Sequence, residues 1–171
     1  DDDGKPVPPG EVGELVIRGP HVMKGYWRND EATVKMLRPG LNPWEKVLYT
    51  GDLFRMDADG FLYFVGRKDD IIKTRGEKVA PKEVEAVLHT HPSIAEAVVA
   101  GVVDPVLGQA IAAMVVSRDP ALTEREVIRH CSQHLEDFMV PKIVKFVTEL
   151  PKTDTGKVSR RLAAETIEPA A

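Results

Sequence analysis

The sequence predicts an α+β fold in two parts, and three observations support this prediction. Residues 11–65 contain short alternating apolar and polar runs separated by turn residues, which is typical of antiparallel hairpins. After residue 67, helical patterns interleave with apolar strands, which favours an α+β or α/β domain. Between these parts, an aromatic strand ends at Gly66 and the charged residues 67–70 follow. We interpret this charged joint as the boundary between two bodies.

The composition is that of a globular chain. With 171 residues, 43% of them hydrophobic, the chain is long enough for one well-packed domain, or for one domain with part of another. No stretch approaches the length of a membrane span, and the acidic start at Asp1–Gly4 is unlike a signal peptide. We therefore expect a cytoplasmic chain without a transmembrane segment. The single cysteine, Cys131, excludes an intramolecular disulfide.

The charges are unevenly distributed along the chain. The net charge of −4 argues against a general nucleic-acid-binding function. Residues 66–82 nevertheless hold six Lys or Arg against three Asp or Glu, and residues 142–161 hold six against two. The intervening residues 83–141 hold three against nine. The two basic segments indicate either contact with anionic groups at two places or two solvated faces.

The elements of the first part follow from local signals. Residues 14–18 alternate as a strand, and residues 29–37 have a helical pattern for which Asn29 or Asp30 is a suitable N-cap. Residues 38–44 are rich in turn formers and predict a connector.

A second group of strands follows this connector. Val47–Tyr49 is a short apolar strand that is predicted to end at Thr50-Gly51-Asp52. Residues 54–56 and 61–65 flank Asp57-Ala58-Asp59-Gly60, whose Asp-Gly pair is typical of a β-hairpin turn.

The second part begins with a helix and a pair of strands. Pro81 is suited to the first helical position, and the helix is predicted to end at His91-Pro92. Residues 94–103 and 110–116 are apolar and rich in β-branched residues, which predicts paired strands.

The remaining elements are predicted from caps and alternation. Thr123-Glu124-Arg125-Glu126 is a capping box, which predicts a helix to about Asp137. Residues 143–147 alternate as a strand, and Ser159 is suited to cap a last short helix through Leu162.

Two patterns resemble metal sites but lack ligands. His130 and His134, with Cys131 between them, are spaced to lie on one helix face. No further His or Glu stands where a helix-borne zinc motif requires it, so we favour ordinary surface residues. Residues 57–60 resemble the start of a calcium loop but lack its terminal carboxylate, which favours the hairpin turn. We expect no metal site in this chain.

Two positions carry candidate chemistry. The chain contains no glycine-rich phosphate loop and no nucleophile motif, so any phosphate would be bound by side chains. Asp52 follows an apolar strand, where its carboxylate can accept hydrogen bonds from vicinal hydroxyls such as those of a ribose. Lys157 follows Gly156 in a loop from which its ammonium can reach a phosphate or carboxylate. Taken alone, a motif such as Tyr49–Asp52 is more often a turn that caps a strand. A lysine in a loop, such as Lys157, is more often simply solvated.

Four motifs occur in order and together span nearly the whole chain. They are Gly13–Gly19 with Gly25–Trp27, then Tyr49–Asp52, then Gly66–Lys73 with Arg75–Gly76 and Pro81–Glu85, and finally Leu150–Lys157. The chain thereby resembles the C-terminal part of an AMP-forming acyl-CoA synthetase. This enzyme class belongs to the adenylate-forming superfamily, which also contains peptide-synthetase adenylation domains and firefly luciferase.

The resemblance implies a two-step reaction. A carboxylate attacks the α-phosphate of ATP to give an acyl-adenylate and pyrophosphate, and a thiol then displaces AMP. It implies that Asp52 binds the ribose hydroxyls of ATP and that Arg67 assists there. Asp69 would be the hinge about which the C-terminal domain swings between the half-reactions. Lys157 would contact the reacting carboxylate and phosphate oxygens during adenylation.

The resemblance also implies a second face for thioester formation. Gly76 would lie in the segment that then replaces Lys157 at the active site, where its missing side chain lets the pantetheine arm pass. Lys73, Arg75 and Lys78 would be placed to meet the phosphates of CoA, although an exposed charge run has the same appearance. ATP and CoA are expected as substrates, and Mg²⁺ is expected with ATP but not bound by this chain.

The implied domains follow the charged joint. Residues 1–66 would be the end of an N-terminal portion, the remnant of a distorted antiparallel β-barrel subdomain. Residues 67–69 would be the hinge, and residues 70–171 a small, mobile α/β domain with a short sheet flanked by helices. The larger N-terminal portion of the family, with its phosphate loop and most of the acyl pocket, is absent. We therefore expect the chain alone to release no pyrophosphate from ATP and a fatty acid.

Three functions remain open. The first is a ligase that joins a fatty or aryl acid to CoA, and the second is an adenylation domain that feeds a carrier protein. The chain ends soon after Arg160–Arg161, which favours a free-standing synthetase. A non-catalytic binding or regulatory role is the third, and no motif supports it. The expected partners are the missing N-terminal portion, ATP or AMP, CoA and a carboxylic acid, with no nucleic acid.

Overall fold

The computed structural model describes residues 1–40, 42 and 44–167. The chain divides into two units, Asp1–Asp69 and Asp70–Ala171. The assignment of residues 1–66, 67–69 and 70–171 to a subdomain end, a hinge and a moving domain stays a prediction, and residues 168–171 lie outside the described residues. Within the described residues, no helix has both the length and the apolar character that crossing a membrane requires.

The first unit is built on an antiparallel sheet of four strands. They are β1 (Val12–Ile17), β2 (Leu37–Pro39), β3 (Lys46–Met56) and β4 (Leu62–Arg67), with helix α1 (Asp30–Met36) between β1 and β2. Strand β3 pairs with each of the other three strands. The described strands of this unit form an open sheet. Together with the helices and the second sheet described below, it agrees with the predicted α+β class.

The local sequence patterns predicted helix α1 but did not predict strand β2. Of the two predicted candidates, Asn29 is the N-cap, and its side-chain oxygen accepts a hydrogen bond from Ala32 N at 2.9 Å. The predicted connector begins instead with β2, where Leu37 is buried and pairs with Leu48. Leu41 and Pro43 of that connector lie outside the described residues.

Strand β3 is longer than the sequence predicts. The turn residues Thr50-Gly51-Asp52 lie inside an 11-residue strand, so the predicted strand end was wrong. Gly51 has a φ of +71°, and the register of β3 against β1 shifts between the pairs Glu14–Leu53 and Val16–Tyr49, which marks a β-bulge at residues 50–52. A glycine in the left-handed region therefore bends the strand without ending it. The predicted hairpin at Asp57–Gly60 is confirmed, since β3 and β4 pair across it.

The second unit packs helices on both faces of a mixed sheet. Its elements are β5 (Ile72–Thr74), β6 (Glu77–Val79), α2 (Pro81–His89), β7 (Ile94–Asp104), β8 (Gly108–Ser117), α3 (Glu124–Ser132), β9 (Ile143–Phe146) and α4 (Arg160–Ile167). Strand β8 is central, antiparallel to β7 and β5 and parallel to β9, and β6 extends the sheet beyond β5. The predicted pair β7–β8 is confirmed. The β5–β6 hairpin was not predicted.

The helix signals were largely confirmed. Pro81 opens α2, and Thr123 and Glu126 form both bonds of the capping box. Helix α3 ends at Ser132, with Gln133 as its C-cap, rather than near Asp137, and Glu136 has extended backbone (ψ 149°) before a 3-10 turn. Ser159 caps α4 as predicted, with its Oγ accepting from Leu162 N at 3.3 Å, and the helix runs past Leu162 to its end at Ile167.

The core of the second unit follows the two-residue period of its strands. One face of β7 and β8 packs with α2 and α3 and includes Val99, Ile111, Ala113 and Val115. The opposite face carries Val98 and Met114, which pack with Leu150 and with Ala163 of α4. Both faces are therefore covered, which explains why these strands are nearly continuously apolar.

We predict that Val115→Ala lowers the free energy of unfolding of the second unit by about 2 to 3 kcal/mol, because it removes two methyl groups and leaves a cavity. The Val115 side chain is fully buried. Urea unfolding followed by circular dichroism measures the change. The matched control is Val106→Ala, since Val106 is 87% exposed. Equal effects of the two substitutions would show that β8 does not carry the core.

Candidate functional site

A carboxylate and a guanidinium meet at the bulge of β3. Asp52 lies opposite Arg67 in the β3–β4 pair, and Arg67 Nη1 donates to Asp52 Oδ1 at 2.7 Å. Gly51 leaves room for this contact, because a Cβ on Gly51 would lie 3.2 Å from Arg67 Nη2. Both side chains remain partly exposed. The pair therefore presents the second carboxylate oxygen, Oδ2, in a fixed orientation from which it can accept hydrogen bonds from hydroxyls.

The bulge itself is held by Thr50 and Glu14. Thr50 Oγ1 donates to Leu15 O at 2.8 Å and accepts from Asp52 N at 3.1 Å. Glu14 Oε1 accepts from Gly51 N at 3.0 Å. This role of Glu14 was not predicted from the sequence, although the residue lies in the first motif. An acidic residue at an inward position of β1 was the available signal.

Lys68 also forms ion pairs within the first unit, including one with Glu14. Its Nζ lies 2.8 Å from Asp2 Oδ1 and 3.1 Å from Glu14 Oε2. The hydrogen bond to Asp2, with that to Glu14, raises the pKa of Lys68 above its ordinary value. The charged joint thus begins with two residues, Arg67 and Lys68, that are paired to carboxylates of the first unit.

The predicted hinge residue lies where the two units divide. Asp69 is in a 3-10 turn, Lys68–Asp70, and it is the last residue of the first unit. Its Oδ2 lies 3.9 Å from Lys35 Nζ, and both side chains are about three-quarters exposed. An exposed pair at this distance contributes little stability. The hinge role of Asp69 stays a prediction.

The predicted second face is the β5–β6 hairpin. Arg75 and Gly76 form its two-residue turn, with φ of 54° and 84°, which fits a type I′ turn. A Cβ on Gly76 would meet no atom within 4 Å, so the backbone conformation, and not crowding within this chain, favours glycine there. Lys73 and Lys78 are cross-strand partners, so their side chains lie on the same face of the hairpin.

A cavity of about 270 Å³ lies beside this hairpin. It is lined by residues that include Thr74, Arg75, Leu107, Phe138 and Lys142. Arg75 belongs to the first basic segment and Lys142 to the second, so the fold brings the two segments together. Lys142 was not predicted as a site residue from the sequence, because only the tertiary fold brings it to the same cavity as Arg75.

Lys157 lies at the end of a closed loop. Thr153 N donates to Lys157 O at 2.8 Å, Lys152 and Val158 form a β-bridge, and Ser159 N donates to Pro151 O at 2.9 Å. The loop is therefore fixed in its backbone while the Lys157 side chain is exposed. This arrangement can present an ammonium to an anion that approaches from outside the chain.

The histidine pair is engaged with backbone groups. His130 Nε2 lies 3.0 Å from Val87 O and 2.9 Å from Thr90 Oγ1, and His134 Nδ1 lies 2.9 Å from His130 O. Among the residues that the structure describes, no group of three His, Cys, Asp or Glu side chains could hold a metal ion. Cys131 lies between the histidines in sequence but is buried in the core.

Comparisons with known proteins show what the chain is similar to. Residues 83–157 match the family model of the AMP-binding enzyme C-terminal domain, and residues 1–27 match that of the AMP-binding enzyme. A long-chain-fatty-acid–CoA ligase of Escherichia coli O6:H1 is 44% identical over 161 residues, which cover 94% of this chain and 28% of that protein. A 2-succinylbenzoate–CoA ligase of Geobacillus kaustophilus is 43% identical, with 93% and 31% covered.

Solved structures agree with this similarity. The amide bond synthetase McbA from Marinactinospora thermotolerans superposes with a TM-score of 0.84 and 38% identity, over 97% of this chain and 33% of that one. The o-succinylbenzoate CoA synthetase MenE from Bacillus subtilis, in complex with the acyl-adenylate OSB-AMP, gives 0.83 and 34%, over 94% and 32%. The chain thus spans about a third or less of the length of these proteins.

We predict that Cys131 is chemically inert in the folded chain. Burial raises the pKa of its thiol from 9.0 to about 11, so at pH 8 the thiolate fraction falls about 100-fold. Iodoacetamide should therefore react at least about 100-fold more slowly with the native chain than with the chain unfolded in urea. Comparable rates in the two states would contradict the burial of this thiol.

The same shift gives a pH dependence of stability. Folding favours the protonated thiol. The contribution of this thiol to the free energy of unfolding is therefore fully present below pH 9 and is lost as the pH rises towards 11. Urea unfolding across this range, with Cys131→Ala as the control, measures the loss.

Proposed function

We propose that the chain, whose residues 83–157 match the AMP-binding enzyme C-terminal domain, is the C-terminal part of an ATP-dependent carboxylic acid:CoA ligase. The enzyme would convert a fatty or aryl acid and ATP to an acyl-adenylate and pyrophosphate, and would then transfer the acyl group to CoA with release of AMP. The names of the CoA ligases among the relatives support this reaction class. The observation that carries the proposal is the contact between Asp52 and Arg67.

Asp52 and Arg67 come from two different motifs, and the resemblance assigns both residues to the same nucleotide. The 2.7 Å hydrogen bond between them fixes the carboxylate, so that its other oxygen can accept from the ribose hydroxyls of ATP. The partly exposed guanidinium remains able to contact the nucleotide. Mg²⁺ would enter as the complex with ATP, whose phosphates the missing portion of the enzyme would bind.

Lys157 would act in adenylation. The acid and the α-phosphate are both anionic, and an ammonium placed between them lowers their repulsion as the new bond forms. The closed loop supports this role because it holds the backbone of Lys157 in one place while leaving the side chain exposed. The charge contributes only while it is at the reacting atoms, so its loss should affect the first half-reaction far more than the second.

The hinge at Asp69 would let one active site use two faces of the second unit in turn. The division of the chain between Asp69 and Asp70 supports a rigid-body rotation at this point. One orientation would present Lys157 for adenylation. The other would present Gly76 and the β5–β6 hairpin for thioester formation.

The hairpin face favours CoA as the acceptor over a carrier protein. Lys73 and Lys78 lie side by side, and Arg75 shares its cavity with Lys142. CoA carries a nucleotide with three phosphate groups, whereas a carrier-bound pantetheine has a single phosphodiester, so clustered cations favour CoA. Titration of the full-length enzyme with CoA and with a phosphopantetheinyl carrier protein separates these acceptors.

The first unit supports the proposal that a further portion of the enzyme packs against this chain. Phe61, Leu62, Tyr63 and Phe64 are consecutive, and each is between 46% and 66% exposed. Successive side chains of a strand point to opposite faces, so Phe61 and the first residues of β4 leave apolar surface open on both faces. We propose that the N-terminal portion, which makes up most of the length of the relatives, covers this surface.

We predict that Asp52→Asn in the full-length enzyme weakens ATP binding about 10-fold or more, because the ribose loses a charge-assisted hydrogen bond. Isothermal titration with ATP in the absence of the acid measures this change. The control is Asp59→Asn, an exposed aspartate of the β3–β4 turn, which should bind ATP as the unmodified enzyme does. Unchanged affinity for Asp52→Asn would remove Asp52 from the nucleotide site.

We predict that Lys157→Ala slows ATP–pyrophosphate exchange by roughly 100-fold or more, while thioester formation from a preformed acyl-adenylate changes by less than about threefold. Lys152→Ala is the matched control, because Lys152 lies in the same loop and is paired with Glu149. It should leave both rates within about threefold of the unmodified enzyme. Equal slowing of both half-reactions by Lys157→Ala would contradict its assignment.

A further inference from the structure

Arg160 joins three segments of the second unit. Its Nη1 donates to Asp70 Oδ2 at 3.0 Å, and its Nη2 lies 2.9 and 2.8 Å from the two carboxylate oxygens of Glu85. Glu85 Oε1 also accepts from Val99 N at 3.0 Å. One guanidinium therefore links the start of α4 to the start of the unit, to α2 and, through Glu85, to strand β7.

These ion pairs are partly shielded from water. The side chain of Arg160 is 25% exposed, that of Asp70 29% and that of Glu85 11%. Charge-assisted hydrogen bonds in such surroundings are stronger than exposed ones, and removing one partner leaves a carboxylate without compensation. The neighbouring Arg161 differs, since its side chain is 75% exposed and pairs with Glu165 on the same helix.

Arg160 directly follows the loop that carries Lys157, which runs from Pro151 to Ser159. Arg160 follows Lys157 by three residues, and the bond from Ser159 N to Pro151 O closes the loop immediately before it. At the other end of the loop, Leu150 is buried in the core. Arg160 lies at the exit of a loop that is closed by backbone hydrogen bonds and anchored at both ends, so its guanidinium is one of the groups that hold the backbone of Lys157 in place.

The same side chain reaches the predicted hinge. Asp70 is the first residue of the second unit and directly follows Asp69. A rotation that begins at Asp69 must carry Lys157 with it as one body, although the two residues are far apart in sequence. The pair between Asp70 and Arg160 provides this connection across 90 positions of the chain.

We propose that Arg160 is a positioning residue for adenylation, which ties the backbone of Lys157 to the hinge side of the second unit. The proposal rests on the function proposed above for Lys157. Its physical reason is that misplacement of a reacting group by about 1 Å can cost about 100-fold in rate. The flexible stem of a lysine does not prevent such misplacement unless its backbone is held.

The test compares Arg160→Ala, Arg160→Lys and the matched control Arg161→Ala in the full-length enzyme. Arg160→Ala should slow ATP–pyrophosphate exchange by about 30-fold or more, and should slow thioester formation from preformed acyl-adenylate by less than about threefold. Arg160→Lys, which keeps one charge but loses the fork, should recover part of the exchange rate. Arg161→Ala should change neither rate by more than about twofold.

A double substitution separates positioning from simple structural support. If Arg160 acts through Lys157, then Arg160→Ala added to Lys157→Ala should slow exchange by less than about threefold beyond Lys157→Ala alone. If the two substitutions slow exchange independently, so that their effects multiply, the proposal is overturned. It is also overturned if Arg160→Ala slows both half-reactions equally, because Arg160 would then support the fold in general. Unchanged exchange in Arg160→Ala would overturn it outright.

Two further results complete the test. If Arg160→Ala does not fold, Asp70→Asn removes only the hinge-side partner, and it should slow exchange by about threefold to tenfold with thioester formation unchanged. A normal exchange rate for Asp70→Asn would then overturn the link to the hinge.

If Lys157→Ala itself exchanges normally, the role proposed for Lys157 fails and this proposal fails with it. Normal exchange in Arg160→Ala beside slow exchange in Lys157→Ala overturns this proposal alone.

Discussion

The pairing of β7 with β8 is the interaction on which the second unit depends, because this pair supplies both of its apolar layers. Val99, Ile111 and Val115 face α2 and α3, whereas Val98 and Met114 face α4. A strand pair buried on both faces holds helices in place on either side. The position of α4 on this sheet is what gives the loop before it, and therefore Lys157, a fixed starting point.

Elements governed by local chemistry were predictable from the sequence. The capping box at Thr123–Glu126, the N-cap at Asn29 and the Asp-Gly turn at residues 57–60 each depend on hydrogen bonds within a few residues, so the sequence around them is sufficient. Strand β3 was misread for the same reason. Gly51 is a turn signal in isolation, and only pairing with strands on both sides shows that the chain continues through it as a bulge.

The contacts that organise the candidate site lie beyond local signals. Arg160 pairs with Asp70 and Glu85 across 90 and 75 positions, and Glu14 reaches Lys68 across 54. No spacing rule specifies such partners, because they are chosen by the tertiary packing of the elements that carry them. The motifs located Asp52, Arg67 and Lys157 as residues, whereas the groups that hold them in place became visible only in the fold.

The groups assigned to chemistry and the groups that hold them have opposite surroundings. Lys157 is exposed, whereas Leu150, Arg160 and Glu85 around its loop are buried or shielded. An exposed ammonium interacts weakly with an anion in water, and its attraction grows when a second surface excludes the solvent. Such a lysine therefore needs two things, a backbone that is already fixed and an enclosing surface that arrives later. The chain supplies the first through its partly buried ion pairs, and the proposed rotation about Asp69 would supply the second.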